Sequence, residues 1–363
     1  MGRFIGTTCR GIRLPIIQSG EKNLDEIIVR CLDAASSECH TPFKDKDIIC
    51  VTEALVARSE ENYVTVDDIA HDIVDKFGEN PVVSVLYPIY SRNRFSLILK
   101  GIARAARVIY LRLDDDKDEV GNDKINPFTA VDIEKFYKEV IESENCEVVF
   151  DKQQSYENII YCRCHIDENE LRQLTKAPTS GGSVMPIYTL TDICSTPSSE
   201  HGYNEDFGLL GSNKATEEKL KLFPRQDACK RICDSIQSHI NSNYNVTVEV
   251  MIYGDGCFKD PVGGIWEFAD PVVSPYYTDG LKGTPTEIKI KYIADNKNAS
   301  TEEMKEFIKQ KDDNLVGNML SQGTTPRRYC DLVGSLADLT SGSGDKGTPV
   351  IWISGYFDNY ATE

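Results

Sequence analysis

The sharpest chemical feature of this sequence is a carboxylate between two glycines at the end of an alternating apolar run. The segment reads Ile252-Tyr-Gly254-Asp255-Gly256 and continues to Gly263-Gly264-Ile-Trp266-Glu267. A strand that runs into Gly-Asp-Gly sets the carboxylate at its carboxyl end, where ligands gather in sheets flanked by helices. Glycine on either side lets the backbone approach a phosphate or metal closely. Carboxylate oxygen is also a natural ligand for Mg²⁺ or Mn²⁺. The competing reading is a hairpin turn in which Asp255 only caps the backbone.

A second stretch, Ser91 to Arg107, holds Arg92, Arg94, Lys100, Arg104 and Arg107 with no acid between them. Guanidinium forks suit phosphate and carboxylate oxygens. On a helix Lys100, Arg104 and Arg107 share one stripe, at i, i+4 and i+7, opposite Leu97, Ile98, Ile102 and Ala105. That stripe reads as structural. Arg92 and Arg94 fall before the helix, where outward backbone N–H groups also favour an anion. A third stretch, Thr179-Ser-Gly181-Gly182-Ser183, could present amides to an anion but lacks the Walker A form. No G-x-S-x-G elbow, H-E-x-x-H pair or G-x-G-x-x-G fingerprint occurs, so serine hydrolase, zincin and dinucleotide readings have no support.

The formal net charge of -18 argues against a nucleic-acid surface. No apolar run is long enough for a membrane-spanning helix, and the start has no signal-peptide pattern, so a soluble cytoplasmic enzyme with no membrane partner is expected. Twelve cysteines are spread from Cys9 to Cys330 without a C-x-x-C pair, unlike a secreted disulfide scaffold. Cys229 and Cys233 sit at i,i+4 as small buried residues of one helix. Cys162, Cys164 and His165 could ligate zinc, yet their alternation fits a strand better.

The elements that must position these residues follow from periodicity. Helices are expected over 23–35, 66–77, 128–143, 226–241, 302–310 and 331–340, and strands over 47–52, 82–86, 108–113, 147–150, 246–253, 287–294 and 349–354. Residues 178–213, rich in Ser, Thr, Gly and Pro, read as a long loop. Strands and helices mix without a regular βαβ repeat, which predicts an α+β fold, mixed sheets with flanking helices, and not a clean Rossmann chain.

Taken in order, several segments resemble the coenzyme F420-0:γ-glutamyl ligase family. Gly11-Ile-Arg-Leu14-Pro15-Ile16-Ile17 is similar to that family's nucleotide-contacting turn. Asp47-Ile-Ile-Cys-Val-Thr-Glu53-Ala54-Leu-Val-Ala-Arg58 resembles its strand and following segment, with Arg58 where the family has lysine. Gly208-Leu-Leu210-Gly-Ser212-Asn213 is similar to a loop in which an aspartate binds metal and an asparagine contacts nucleotide. Asn213 matches, and Leu210 stands at the aspartate position. Asp255 matches a metal-binding aspartate, although the family's next residue is threonine. Asp331 to Gly342 and Gly347 to Ile353 resemble its closing helix and strand.

The resemblance covers 9–80 and 205–355 and divides the chain into an N-terminal ligase-like part, 1–83, a divergent or inserted segment, 84–204, and a C-terminal ligase-like part, 205–363. It implies an intertwined homodimer and a GTP-dependent ligation of L-glutamate to a small-molecule carboxylate through an acyl phosphate. Leu14, Pro15, Ile16, Ile17, Glu53, Ala54 and Asn213 would contact GTP, and Asp255 would hold Mg²⁺ or Mn²⁺. Arg58, Arg92 and Arg94 would hold phosphate or substrate carboxylates. Two alternatives stay open: the same chemistry on a folate or peptide acceptor, or a non-catalytic relative that binds a nucleotide or anion.

Overall fold

In a computed structural model of the chain, the described residues are 4–86, 90, 95–113, 117, 123–127, 130–150, 158–162, 186–195, 204, 206–211, 213–255, 258–259, 266–267, 272–283, 300–310, 328–342 and 346–358. In chain order the first elements are β1 (Thr8–Ile12), α1 (Leu24–Glu38), β2 (Ile48–Thr52), α2 (Glu53–Ser59), β3 (Tyr63–Thr65) and α3 (Val66–Phe77). There follow β4 (Val82–Leu86), α4 (Phe95–Ala105), β5 (Val108–Arg112), α5 (Ile133–Glu142), β6 (Glu147–Phe150), β7 (Ile159–Tyr161), β8 (Ile187–Thr189), β9 (Asn213–Thr216) and β10 (Lys219–Lys221). The last are α6 (Gln226–Tyr244), β11 (Glu249–Asp255), β12 (Phe258–Lys259), β13 (Trp266–Glu267), β14 (Val272–Tyr277), α7 (Thr301–Gln310), α8 (Tyr329–Ser341) and β15 (Val350–Ser354). The expected strand over 287–294 lies outside the described residues.

Contacts divide the chain into two units, Met1–Val56 with Cys229–Glu363, and Ala57–Ala228. The chain leaves the first unit within α2 and returns within α6. These boundaries follow packing, whereas the division at 83/84 and 204/205 follows family likeness, and the first of those cuts runs through β4.

The first unit is built on a sheet ordered β1-β15-β2-β11-β14, in which β2 and β11 are parallel and the other neighbours antiparallel. β2 is its central strand, and Ile48, Ile49, Cys50 and Val51 are all fully buried because both faces are covered. Ile49 and Val51 pack on one side with Leu24, Ile28 and Leu32 of α1 and Cys229, Ile232 and Cys233 of α6. Ile48 and Cys50 pack on the other with Cys330, Val333 and Ala337 of α8. The buried Asp47 anchors the start of β2. Its Oδ2 accepts from Trp352 Nε1 at 2.8 Å, Ser354 Oγ at 3.2 Å and Lys44 N at 3.1 Å.

The second unit holds a fully parallel sheet ordered β6-β5-β4-β7-β8, and a small antiparallel sheet ordered β3-β10-β9. In the parallel sheet β4 comes first in the chain, β5 and β6 extend to one side, and β7 and β8 to the other. That is a doubly wound order, reversing between β4 and β7. The chain as a whole is the mixed α+β fold expected, but the regular βαβ repeat not read from the sequence is present over 82–150. The connection from β4 to α4, residues 87–94, contains no glycine, so the usual fingerprint of such a sheet is missing. Val83, Val85, Ile109, Leu111 and Ile160 face α3, α4 and α5, and Leu86, Ile159 and Tyr161 form a smaller cluster on the opposite face.

Local chemistry fixes the helix ends here. Thr65 and Asp68 form a capping box at the start of α3, and Gly78 follows its end at a φ of 82°. The helix expected from 128 begins at Ile133, because Asp132 caps it by accepting from the amides of Glu134 and Lys135.

Candidate functional site

One edge of the sheet in the first unit gathers most of the candidate residues. β2 and β11 run parallel with Thr52 opposite Tyr253, so Glu53 and Gly254 leave adjoining strands side by side and Asp255 follows one residue on. The ladder from β11 to β14 shifts register between Ile252 and Gly254 before Asp255 pairs with Val272. Such irregularities re-aim side chains at strand ends and recur beside active sites. The short pair β12–β13 follows Asp255, so a hairpin is present, and Asp255 belongs to the strand that enters it rather than to its turn. The side chain of Asp255 lies outside the described residues.

The same edge receives the end of β1 and the start of β15. Thr52 N donates to Pro349 O at 3.0 Å, and Leu14 N donates to Gly347 O at 3.1 Å. Gly11 lies so close to Thr348 that a β-carbon there would meet its Cβ and Cγ2 at 3.0 Å. Gly347 itself has a φ of 67°, a conformation that glycine adopts without strain. Together these contacts hold the turn Leu14-Pro15-Ile16-Ile17 against the edge. Ile17 is buried among α1 and α6 residues, Leu14 is half-buried, and Ile16 is 87% exposed. The turn thus offers an apolar side chain to solvent from a fixed backbone.

Glu53 opens α2 and is only 3% exposed, with Ala54 half-buried beside it. A carboxylate at the first position of a helix is favoured by the helix dipole. Buried, it has also lost hydration that a donor or cation must replace. Among the described residues of this unit, two more carboxylates are buried and held by the fold. Asp47 lies at the opposite end of β2, and Asp331 is held by Arg328 through two bonds of 2.8 Å. That pairing raises the Arg328 guanidinium above its ordinary value, the Asp331 hydrogen bond being the main cause.

Two oxygen-donor residues at adjoining strand ends, Glu53 and Asp255, suit a hard divalent cation. Among the described residues, no three His, Cys, Asp or Glu side chains come together as a metal site. Cys162 is buried within β7's sheet, and Cys164 and His165 lie outside the described residues.

The remaining candidates belong to the second unit. Arg58 is exposed in the last turn of α2. Asn213 opens β9 opposite Lys221, and Leu210 lies in a 3₁₀ turn, Gly208–Gly211; the side chains of both are outside the described residues. Arg92 and Arg94 also lie outside the described residues. Of the basic stripe after them, Lys100 and Arg104 are engaged with acids. Arg104 donates to both oxygens of Glu144 at 2.9 and 3.1 Å and to Asp67 Oδ1 at 2.7 Å, and meets Glu218 Oε2 at 3.0 Å. Lys100 is paired with Glu218, and with Glu144 at 3.7 Å. These pairs push the Arg104 guanidinium up, chiefly through Glu144, and hold the Glu218 carboxyl down, chiefly through Lys100. Two of the three stripe residues thus have structural partners, and Arg107 is exposed.

A family model described as F420-0:Gamma-glutamyl ligase matches residues 11–355. The chain belongs to that family. Its bounds take in the edge residues from Leu14 to Thr348 and also enclose the segment 84–204. No curated protein matches the chain in sequence. Membership in the F420-0:γ-glutamyl ligase family supports a glutamate-ligase role, with an amide bond as the product. Among the described residues of this family member, no helix is long and apolar enough to cross a membrane.

Missing from the sequence reading were the partners that shape the edge. Thr52 reaches Pro349, almost three hundred residues away in the chain, through the pairing of β2 with β15, and Gly11 reaches Thr348 in the same way through β1, so no local pattern could reveal them. The chain-closing likeness at 347–353 was the one available signal.

Proposed function

We propose that the protein is a nucleoside-triphosphate-dependent amide ligase that adds L-glutamate to an anionic small-molecule carboxylate, with GTP as the phosphoryl donor. The observation that carries this is the convergence of Leu14–Ile17, Glu53, Ala54 and the backbone of Asp255 on one sheet edge. Those are all but one, Asn213, of the residues that the family likeness assigns to nucleotide and metal. The reaction has two steps. An acceptor carboxylate oxygen attacks the γ-phosphorus, the bond to the β-phosphate oxygen breaks, and GDP leaves. The amine of glutamate then attacks the acyl carbon, the carbon–oxygen bond to phosphate breaks, and the amine loses a proton.

Phosphoryl transfer of this kind depends on positioning and charge stabilisation. Asp255, with Glu53 beside it, would hold Mg²⁺ or Mn²⁺, which supplies neutralising charge to the triphosphate. The Leu14–Ile17 turn and Ala54 would seat the nucleotide. Arg58, Arg92 and Arg94 would bind phosphate or substrate carboxylates, with Asn213 as a further nucleotide contact. We propose also that the enzyme is a homodimer in the cytoplasm. Light scattering that gave a monomer of 40.7 kDa at micromolar concentration would contradict the dimer.

A second reading is favoured by one residue. Leu210 removes an aspartate that the family uses for metal, which suits a relative that binds nucleotide without turnover. Nucleotide hydrolysis measured with and without L-glutamate, across F420-0, a reduced folate and short peptides, decides between them. Glutamate-dependent hydrolysis with one acceptor supports the ligase and names its substrate. Nucleotide binding with no glutamate-dependent hydrolysis supports the second reading.

A further inference from the structure

The acids that pair with Lys100 and Arg104 of α4 are not equivalent. Asp67 sits in the first turn of α3, and Glu144 lies just beyond the end of α5. Glu218 lies in the turn between β9 and β10. Among the described residues, β9 is the edge strand of its sheet and pairs with β10 alone. Lys214, Ala215 and Thr216 are exposed, so no apolar side chain among them anchors the strand. β10 is secured differently: Leu220 is fully buried, and the strand pairs with β3 from Lys219↔Thr65 to Lys221↔Tyr63. The register between β10 and β9 slips between Lys219 and Leu220, next to that turn. Glu218 ties the turn to α3 and α4. Its backbone oxygen accepts from Val66 N at 3.0 Å, and its carboxylate is shared by Lys100 and Arg104.

We propose that Lys100 and Arg104 are positioning residues. Through Glu218 they fix the β9–β10 hairpin, and so the edge strand that Asn213 opens, for contact with the nucleotide. This rests on the reading that Asn213 touches GTP. It also gives the basic stripe a function without assigning it an anion. Exposed ion pairs contribute little to stability singly, but a carboxylate shared by two cations restricts the turn that carries it. Small displacements of a binding group weaken binding well before they threaten the fold.

The test compares Glu218→Gln with Glu144→Gln in the full chain. Glu144 accepts from the same Arg104 and lies 3.7 Å from Lys100, but stands just beyond the end of α5, not on the hairpin. GTP affinity is read by titration calorimetry, and hairpin order by amide hydrogen exchange across 213–221. Glu218→Gln should weaken GTP binding about fivefold and speed exchange in β9. Glu218→Asp should fall between it and wild type. Glu144→Gln should lower the melting temperature at least as much while GTP affinity stays within about twofold. Unchanged affinity and exchange in Glu218→Gln, or an equal loss of affinity in Glu144→Gln, would overturn the proposal. Asn213→Ala separates the two layers. If it leaves GTP binding intact, the Asn213 reading fails and takes the proposal with it. If Asn213→Ala weakens binding and Glu218→Gln does not, only the positioning claim falls.

Discussion

The edge of the mixed sheet in the first unit and helix α4 in the second make an instructive pair. At the edge Glu53 is buried, and Asp255 ends the neighbouring strand. α4 and its approach are dense with cations, yet Lys100 and Arg104 are engaged by Glu144, Glu218 and Asp67. A charge that a fold has already matched with its opposite has little left to offer a ligand. Asp255, at a strand end with glycines beside it, is the carboxylate proposed above to take one. Composition and charge density alone would have ranked the two regions in the opposite order.

The sharpest way to break that ranking is Asp255→Asn. It should remove most divalent-metal-dependent turnover, on the order of a hundredfold, and leave the melting temperature near wild type. Full activity in this variant would move the site away from the edge. Next comes a change that should harm only the second unit's packing. A β-carbon on Gly101 would lie 2.6 Å from Ile69 Cβ, where α4 crosses α3. Gly101→Ala should therefore destabilise by roughly 1–3 kcal/mol, despite alanine's better helix propensity. The midpoint of urea unfolding measures it.

Smaller in effect are the arginines before α4. Removing the charge of Arg92 or Arg94 should raise the Michaelis constant of one substrate about tenfold, and Lys100→Gln should do far less. The reverse order would show that the stripe, not its approach, faces a ligand.

The smallest expected effect concerns Asp47, at the far end of β2 from Glu53. Burial pushes its carboxyl above the ordinary 3.8, against the hydrogen bonds from Trp352, Lys44 and Ser354. The folded chain therefore holds this proton more tightly than the unfolded chain. The stability it brings is fully present below 3.8 and is lost as pH rises through the raised folded value. Asp47→Asn cannot ionise, and its amide oxygen can accept the same bonds. Melting temperatures of variant and wild type, followed upward from about pH 4, should diverge in the variant's favour. Divergence toward the wild type would mean that ionised Asp47 stabilises the fold.

Much of this was legible in sequence because it is local. The apolar spacing of 66–77 and the run 82–86 coincide with α3 and β4, and Cys229 and Cys233 are buried on α6 as their spacing implied. The glycine-flanked Asp255 does end a strand. What escaped was non-local. The parallel order around β4 has no glycine fingerprint to announce it, and β9 and β10 are too short to carry a period. Arg104 finds Glu144 forty residues away and Glu218 far beyond that, so its pairing depends on the fold and not on helix spacing.

The central claim is that this chain forms an amide to glutamate at the expense of a nucleoside triphosphate. Its most direct test is to incubate the protein with F420-0, L-glutamate, GTP and Mn²⁺, and to follow the acceptor by mass spectrometry and phosphate release in parallel. The acceptor should gain one glutamyl residue for each phosphate released, with neither product formed when glutamate is left out. Phosphate release that ignores glutamate, with the acceptor unchanged, would contradict it.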